Sequence, residues 1–203
     1  MKILNMKSTK ITLNLNFNMR LSSLLLISVL FFSVRTVNAQ SEEGKINWLT
    51  WEEAYAKQQK EPRKIFIDIY TDWCGWCKKM DQSTFQDPIV VNTLNEMYYP
   101  VKFDAERKDT INFNDHEFVN PKPNARRSAH TFAVTLLEGQ MSYPSYTILD
   151  ENFNRIHIIK GFKRVPALSG VLLFFGSNEH MSYLQYMNDQ QKRQQQQQQS
   201  QNK

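Results

Sequence analysis

The chain has 203 residues, with 25 Lys and Arg against 20 Asp and Glu. Five of the basic residues (Lys2, Lys7, Lys10, Arg20 and Arg35) and none of the acidic ones precede Gln40, so 25 − 5 = 20 remain against 20. The part beyond Ala39 is therefore near neutral, and the basic balance gives no ground for a nucleic-acid partner.

The first segment reads as an address. Leu21 to Val34 is an apolar run broken only by serines, preceded by Arg20 and followed by Val37-Asn38-Ala39, whose small residues suit cleavage after Ala39. Residues 1–39 are thus expected to be a signal-peptide region, which places the rest in the periplasm or outside the cell. Arg35 interrupts the run before the roughly 20 apolar residues a membrane span needs, so a membrane is a partner only if the segment stays uncleaved. Residues 1–18 are polar, basic and longer than a signal peptide requires, and Met19 directly precedes Arg20. Translation is expected to start at Met19, in which case Met19→Leu abolishes the exported product on an immunoblot.

Residues 40–187 carry the signals of one folded domain. Thr50-Trp51-Glu52-Glu53 is a capping-box pattern opening a helix that ends before Pro62. A strand over residues 64–70 follows, then a helix from about Cys74. Asp87-Pro88 supplies a cap and first-turn proline for its continuation, with Val90, Val91, Leu94 and Met97 inward. Residues 99–104 form the next strand. Between residues 105 and 140 a small hairpin is expected around Asn114-Asp115-His116. A helix is expected from Asn124, with Ala125, Ala129, Phe132, Ala133, Leu136 and Leu137 at helical spacing, ended by Gly139. Strands over 145–150 and 155–160 then make a hairpin, and a helical region from Pro166, interrupted at Gly176, reaches about Met187. The glutamine-rich residues 188–203 form a disordered tail or a frayed helix extension. Alternating strands and helices predict an α/β fold.

The chemistry sits in Trp73-Cys74-Gly75-Trp76-Cys77, which holds both cysteines of the chain. Spaced i, i+3 at a helix start, the two sulfurs can bridge, and the first faces unpaired amide N–H groups that favour a thiolate. A structural staple is the competing reading. A loop this short constrains little of the unfolded chain, which favours redox work instead. In the preceding strand Phe66, Asp68 and Tyr70 share one face, and Ile65, Ile67 and Ile69 share the other. Two largely apolar faces mark a covered strand, so the Asp68 carboxylate is expected to be buried.

Four separated features now resemble one family: Asp68 six residues before Cys74, Trp73 before the first cysteine, Val101-Lys102-Phe103-Asp104 as a following strand, and Tyr143-Pro144-Ser145. The chain resembles thioredoxin-fold proteins. Cys77-Lys78-Lys79-Met80 through Thr84-Phe85-Gln86-Asp87-Pro88 is further similar to exported bacterial thioredoxin-like proteins related to the C-terminal domain of the transmembrane thiol:disulfide interchange protein. The resemblance implies a central mixed sheet flanked by helices, with an extended hairpin-plus-helix connection before a cis-proline loop.

It also implies roles. Cys74 would be an exposed attacking thiolate and Cys77 a shielded resolving thiol, with Asp68 accepting the Cys77 proton and Lys102 holding Asp68 ionised. Pro144 would be cis and would expose the Tyr143 backbone to substrate. Trp73, Gly75, Trp76 and Tyr143 would line the peptide site, although Trp76 reads equally well as cover for the core edge. Trp76 and Ser145 stand where thioredoxins usually carry proline and threonine, which leaves the direction of electron flow open. The implied function is an exported thiol:disulfide oxidoreductase that reduces or isomerises disulfides, with no cofactor beyond the Cys74–Cys77 disulfide. Its partners would be cysteine-containing exported proteins and a membrane thiol:disulfide electron donor. The alternative is Cu(I) delivery through the two thiolates, or a fold kept as an interaction module. His116, His130, His157 and His180 have no metal-ligand spacing, so no metal site is expected from them.

Overall fold

A computed structural model describes residues 44–201. The expected signal region, its cleavage point and the Met19 start lie outside the described residues. Thr50 opens helix α1 (Trp51–Gln58) with the expected capping box: its Oγ1 accepts the Glu53 N–H at 3.2 Å, while Glu53 Oε2 accepts the Thr50 N–H at 2.8 Å. Strand β1 (Lys64–Tyr70) runs from there to the cysteines, which sit at the start of helix α2 (Gly75–Gln82). A short 3₁₀ turn, Thr84–Gln86, separates α2 from helix α3 (Pro88–Met97), where Asp87 Oδ1 accepts the Ile89 N–H at 2.9 Å. Strand β2 (Tyr98–Asp104) follows directly.

The chain then leaves the sheet. Strands β3 (Ile111–Phe113) and β4 (His116–Phe118) pair antiparallel around Asn114 and Asp115, both in the left-handed region with φ of 50° and 60°. Two such central residues suit the twist of a tight hairpin, which explains the asparagine and aspartate there.

The expected helix from Asn124 is corrected: helix α4 is only Thr131–Leu136. Arg127 takes φ 61°, which no continuous helix tolerates, and the buried Asn120 amide organises the preceding loop instead. Asn120 Nδ2 donates to the carbonyls of Glu106, Arg107 and Ser128. The actual cap is His130, whose Nδ1 accepts the Phe132 N–H at 3.2 Å and whose Nε2 bonds the Asp109 carbonyl at 3.0 Å. Only the second half of the apolar pattern, Phe132, Ala133, Leu136 and Leu137, is buried. The helix stops at Leu136, before the expected Gly139: Glu138 (φ 53°) is the first left-handed residue after the Leu137 cap, and Gly139 (φ 74°) is the second.

Strands β5 (Ser145–Leu149) and β6 (Arg155–Lys160) close the sheet in the order β2-β1-β5-β6. The β1/β2 pair is parallel, and β1/β5 and β5/β6 are antiparallel. Helices α5 (Val165–Gly176) and α6 (Glu179–Gln201) follow, with the break expected near Gly176; the glutamine-rich segment is helical as far as Gln201.

The sheet separates two cores. Phe66, Tyr146 and Ile148 pack on one face with Met80 of α2, Val90 and Leu94 of α3, and Leu168 and Leu172 of α5. Ile65, Ile67 and Ile69 pack on the other with Trp51 and Ala54 of α1, Phe132 and Leu136 of α4, and the β3/β4 hairpin. Both faces of β1 are covered, as its alternating pattern requires. This is a thioredoxin-like arrangement of a mixed sheet between helices.

Gly176 sits where α5 meets α3. A Cβ there would lie 2.6 Å from Met97 Sδ, 3.2 Å from Met97 Cβ and 3.3 Å from a ring carbon of Tyr98, whose hydroxyl donates to the Leu172 carbonyl at 2.6 Å. The thioether can swing aside, but the buried Tyr98 ring cannot. Gly176→Ala is therefore expected to lower stability by about 1–3 kcal/mol, read as a lower urea midpoint at unchanged m.

Candidate functional site

Strand β1 ends in a turn that delivers the cysteines to the sheet's carboxyl-terminal edge. The Cys74 N–H donates to the Thr71 carbonyl at 3.1 Å, fixing the entry of the chain into α2. Cys74 and Cys77 form a disulfide with Cα atoms 5.3 Å apart. Cys74 is also the N-cap of α2: its Sγ accepts the Cys77 N–H at 3.0 Å. A first-turn amide that has no carbonyl partner within the helix is thus satisfied by sulfur. The same donor would hold a thiolate at Cys74 after reduction, when the acceptor carries full charge.

The expected contrast between an exposed Cys74 and a shielded Cys77 is corrected. They are 5% and 3% exposed. The bridge and the Cys77 N–H hold the Cys74 sulfur inward over the helix end, away from solvent.

A charge cluster, buried at Asp68 and partly open at Lys102 and Asp81, ties β1 and β2 to α2. Asp68, 1% exposed, faces the core of α2, α3 and α5, opposite Lys102 on β2 and Tyr146 on β5. The Lys102 ammonium bonds Asp68 Oδ2 at 2.6 Å and also bonds Asp81 Oδ1. Three rings enclose it, with centroids 4.9 Å (Trp48), 5.2 Å (Tyr70) and 5.3 Å (Phe85) away. Cys77 and Asp81 stand i, i+4 on α2 and share a helix face. Asp81 and Asp68 meet at one ammonium, which ties α2 to β1 through Lys102.

Burial pushes the Asp68 carboxyl up to about 6, against the pull of Lys102. Burial alone would lower Lys102, but Asp68 and Asp81 outweigh it and its pKa is raised. Asp68 Oδ1 and the Tyr146 hydroxyl are buried without a hydrogen-bond partner among the described residues. Asp68 therefore keeps one oxygen available for a proton.

The other expected residues gather around the disulfide. The Tyr143–Pro144 peptide is cis, as the resemblance implied, and Pro144 is buried. Trp73, half-exposed, meets Tyr143 edge to face with centroids 5.8 Å apart. Its Nε1–H donates to Glu106 at 3.1 Å, and the Arg127 guanidinium lies 4.8 Å over its ring. Tyr143 is pushed up to about 12, chiefly by burial and then by Glu106 and Asp104. Trp76 is 63% exposed and packs near Phe162, 5.5 Å between centroids, so it serves the surface instead of the core edge. Gly75 opens α2 in free space, where an added Cβ would touch nothing within 4 Å.

Sequence reasoning missed Asp81, Glu106, Arg127 and Phe162. Only Asp81 carried a signal, its i+4 spacing from Cys77 on an inward face. The histidines stay apart from the disulfide. Among the described residues no three His, Cys, Asp or Glu side chains are grouped to hold a metal ion, and no helix is long and apolar enough to cross a membrane.

The family model Thioredox_DsbH, described as "Protein of unknown function, DUF255", matches residues 35–149, more than half of the chain. Spermatogenesis-associated protein 20 of Rattus norvegicus is 30% identical over 73 residues, covering 36% of this chain and 9% of the relative. The thiol:disulfide interchange protein DsbD of Vibrio vulnificus (strain CMCP6) is 33% identical over 101 residues, covering 42% of this chain and 16% of the relative. The matches thus span a small part of these relatives' own lengths. Among solved structures, a DsbH oxidoreductase has a TM-score of 0.44 at 15% identity, covering 70% of this chain and 94% of its own. A thioredoxin from Thermus thermophilus has 0.47 at 14%, covering 63% and 85%.

The titration of Asp68 has a fixed sign. Its folded pKa lies above the unfolded value of 3.8, so the folded state binds the extra proton and loses stability as pH rises from about 4 to about 6. Above pH 6 the full penalty, about 3 kcal/mol at most, is present. Asp68→Asn is expected to gain about 1–3 kcal/mol over the parent at pH 8 and to lose that advantage at pH 4, measured by urea unfolding of the oxidised proteins. An advantage equal at both pH values would show that Asp68 is ionised throughout.

Proposed function

This chain belongs to the Thioredox_DsbH family, and we propose that it is a thiol:disulfide oxidoreductase that reduces or isomerises disulfides of proteins outside the cytoplasm. The observation that carries this reading is the Cys74–Cys77 bridge capping the start of α2, with the Cys74 sulfur on a helix N–H. A staple has no use for a thiolate site. An exchanging pair requires one.

In the reduced protein the Cys74 thiolate attacks one sulfur of a partner disulfide. A mixed disulfide forms, and the partner's other sulfur leaves as a thiolate that takes a proton. Asp68, ionised above about pH 6, accepts the Cys77 proton through its unpaired Oδ1. The Cys77 thiolate then attacks Cys74 Sγ, which breaks the mixed disulfide and releases the partner's second thiol. The partner ends with two thiols and this protein with its bridge. Lys102 holds its positive charge beside Asp68 through the cycle, and Asp81 shares that one ammonium and remains its partner when Asp68 takes the proton.

Tyr143, Pro144, Trp73, Gly75 and Trp76 form the surface on which a cysteine-containing partner lies. The Tyr143–Pro144 bend leads into β5 beside the disulfide, and its backbone would pair with an extended partner segment. Return to the dithiol form needs a thiol donor, and likeness to the interchange proteins supports a membrane thiol:disulfide protein in that role. The same likeness, together with the signal-like leader, supports an extracytoplasmic location. Reduction or isomerisation is preferred to primary oxidation because a resolving thiol backed by a base favours release of reduced partner.

Cys74→Ser is expected to abolish insulin reduction, and Cys77→Ser to accumulate a mixed disulfide visible on a non-reducing gel. Two variants that behave like the parent would sink the enzyme reading. Resolution of the mixed disulfide should slow below pH 6 in the parent. In Asp68→Asn it should be about 10²-fold slower and flat between pH 5 and 8.

A further inference from the structure

Trp73 and Trp76 diverge across the disulfide. Trp73 leans toward the β2 edge, where Glu106 and Arg127 hold it. Trp76 leans toward the β6 edge, where Phe162 follows the last strand. Trp76, Lys79 and Ser83 stand at i, i+3, i+7, one face of α2 and its end. That face, Phe162 and Arg164 border a groove of about 620 Å³ that runs away from the motif to Asp87 and Pro88.

Its electrostatics are one-sided. Lys79 and Arg164 are exposed, and neither forms an ion pair among the described residues. Arg164 precedes α5 without capping it through its side chain. The one carboxylate of the groove, Asp87, is engaged by the Ile89 N–H as the cap of α3. The groove thus has an exposed indole at its mouth, an aromatic wall and two unpaired cations further along. On the opposite side of the disulfide Trp73 is flanked by both signs, the partly exposed Glu106 carboxylate and the exposed Arg127 guanidinium. A polypeptide crossing the bridge meets charge of both signs at the Trp73 end and two unpaired cations at the Trp76 end.

We propose that this groove is a docking subsite for the segment flanking a partner's cysteine, and that it selects a bulky apolar residue followed by acidic ones. The inference rests on the exchange reading for why a cysteine-flanking segment would come here. The chemistry of recognition is independent of it: Trp76 and Phe162 bury the apolar side chain, and Lys79 and Arg164 meet the carboxylates. The acidic segment runs over the β6 edge, so the groove also fixes the direction in which a partner lies across the disulfide.

Two cysteine-free synthetic peptides test it with no redox step: Gly-Ser-Phe-Glu-Glu-Gly and Gly-Ser-Phe-Lys-Lys-Gly, titrated into the oxidised protein by calorimetry. The acidic peptide is expected to bind about tenfold more tightly, and the difference should shrink in 0.5 M salt. K79E/R164E should reverse the preference, and Trp76→Ala should weaken both peptides. Equal affinities in the parent, or a preference that survives K79E/R164E, overturn the proposal. So does binding of phosphatidylglycerol vesicles that depends on Lys79 and Arg164 while neither peptide binds, which would assign the groove to a membrane surface. Insulin reduction decides the exchange reading separately, since neither peptide contains sulfur.

Discussion

The Lys102 ammonium is the point on which the rest of the site depends. It lies on β2, bonds Asp68 on β1 and Asp81 on α2, and is enclosed by Trp48, Tyr70 and Phe85. Two carboxylates and three rings replace much of the water that the cation gives up. Without Lys102, Asp68 would be a buried carboxylate with no countercharge, and α2 would lose its polar tie to the sheet. The positions of the two sulfurs therefore depend on a residue that touches neither. Burial raises Asp68 and Lys102 opposes it, which leaves the carboxyl poised near 6 instead of pinned ionised or neutral. A proton acceptor is most useful when it can both take and release the proton near working pH.

Helix geometry supplies the second half. The first turn of α2 leaves amide donors without intrahelical acceptors, and Cys74 Sγ takes one of them. A serine or aspartate would cap better. Using sulfur costs some capping strength but couples the redox state to the helix end, because the acceptor gains charge on reduction. This interaction and the Lys102 cluster are separate supports, one on the first turn of α2 and one at Asp81 on its later part. In the proposed exchange one would favour the Cys74 thiolate and the other would take the Cys77 proton.

Much of this was legible in the sequence because it depends on short-range rules. Thr50 and Glu53 announce a capping box, Asp87-Pro88 a helix start, and the alternation of residues 64–70 a strand covered on both faces; all three stand in the structure. Asp68 was marked by the covered strand as well as by the resemblance, and Lys102 and Pro144 by the resemblance; the structure pairs Asp68 with Lys102 and has the Tyr143–Pro144 peptide cis. The failures are long-range. The helix expected from Asn124 dissolves because Asn120 satisfies backbone carbonyls on both sides of the loop, and Arg127 turns left-handed beneath its contact with Trp73. No local pattern announces that an asparagine will organise three carbonyls. Cys74 likewise looks exposed from its helix-start position, and only the bridge shows that its sulfur is held inward.

The segment between β2 and α4 therefore acts on the site through Trp73. Asn120 ties the Glu106 and Arg107 carbonyls to Ser128, and buried His130 fastens the Ala105 and Asp109 carbonyls to the start of α4. These bonds fix Glu106 and Arg127 on either side of one indole. Among the described residues Phe162 is the one ring that meets Trp76, which is the more exposed of the two indoles. An indole held by a hydrogen bond and a cation has little rotational freedom left to lose when a partner arrives, whereas a loosely held one can adapt to different side chains. In the proposed docking the two tryptophans would divide the work: Trp73 is a fixed wall set by the connection, and Trp76 is the adjustable side that faces the groove.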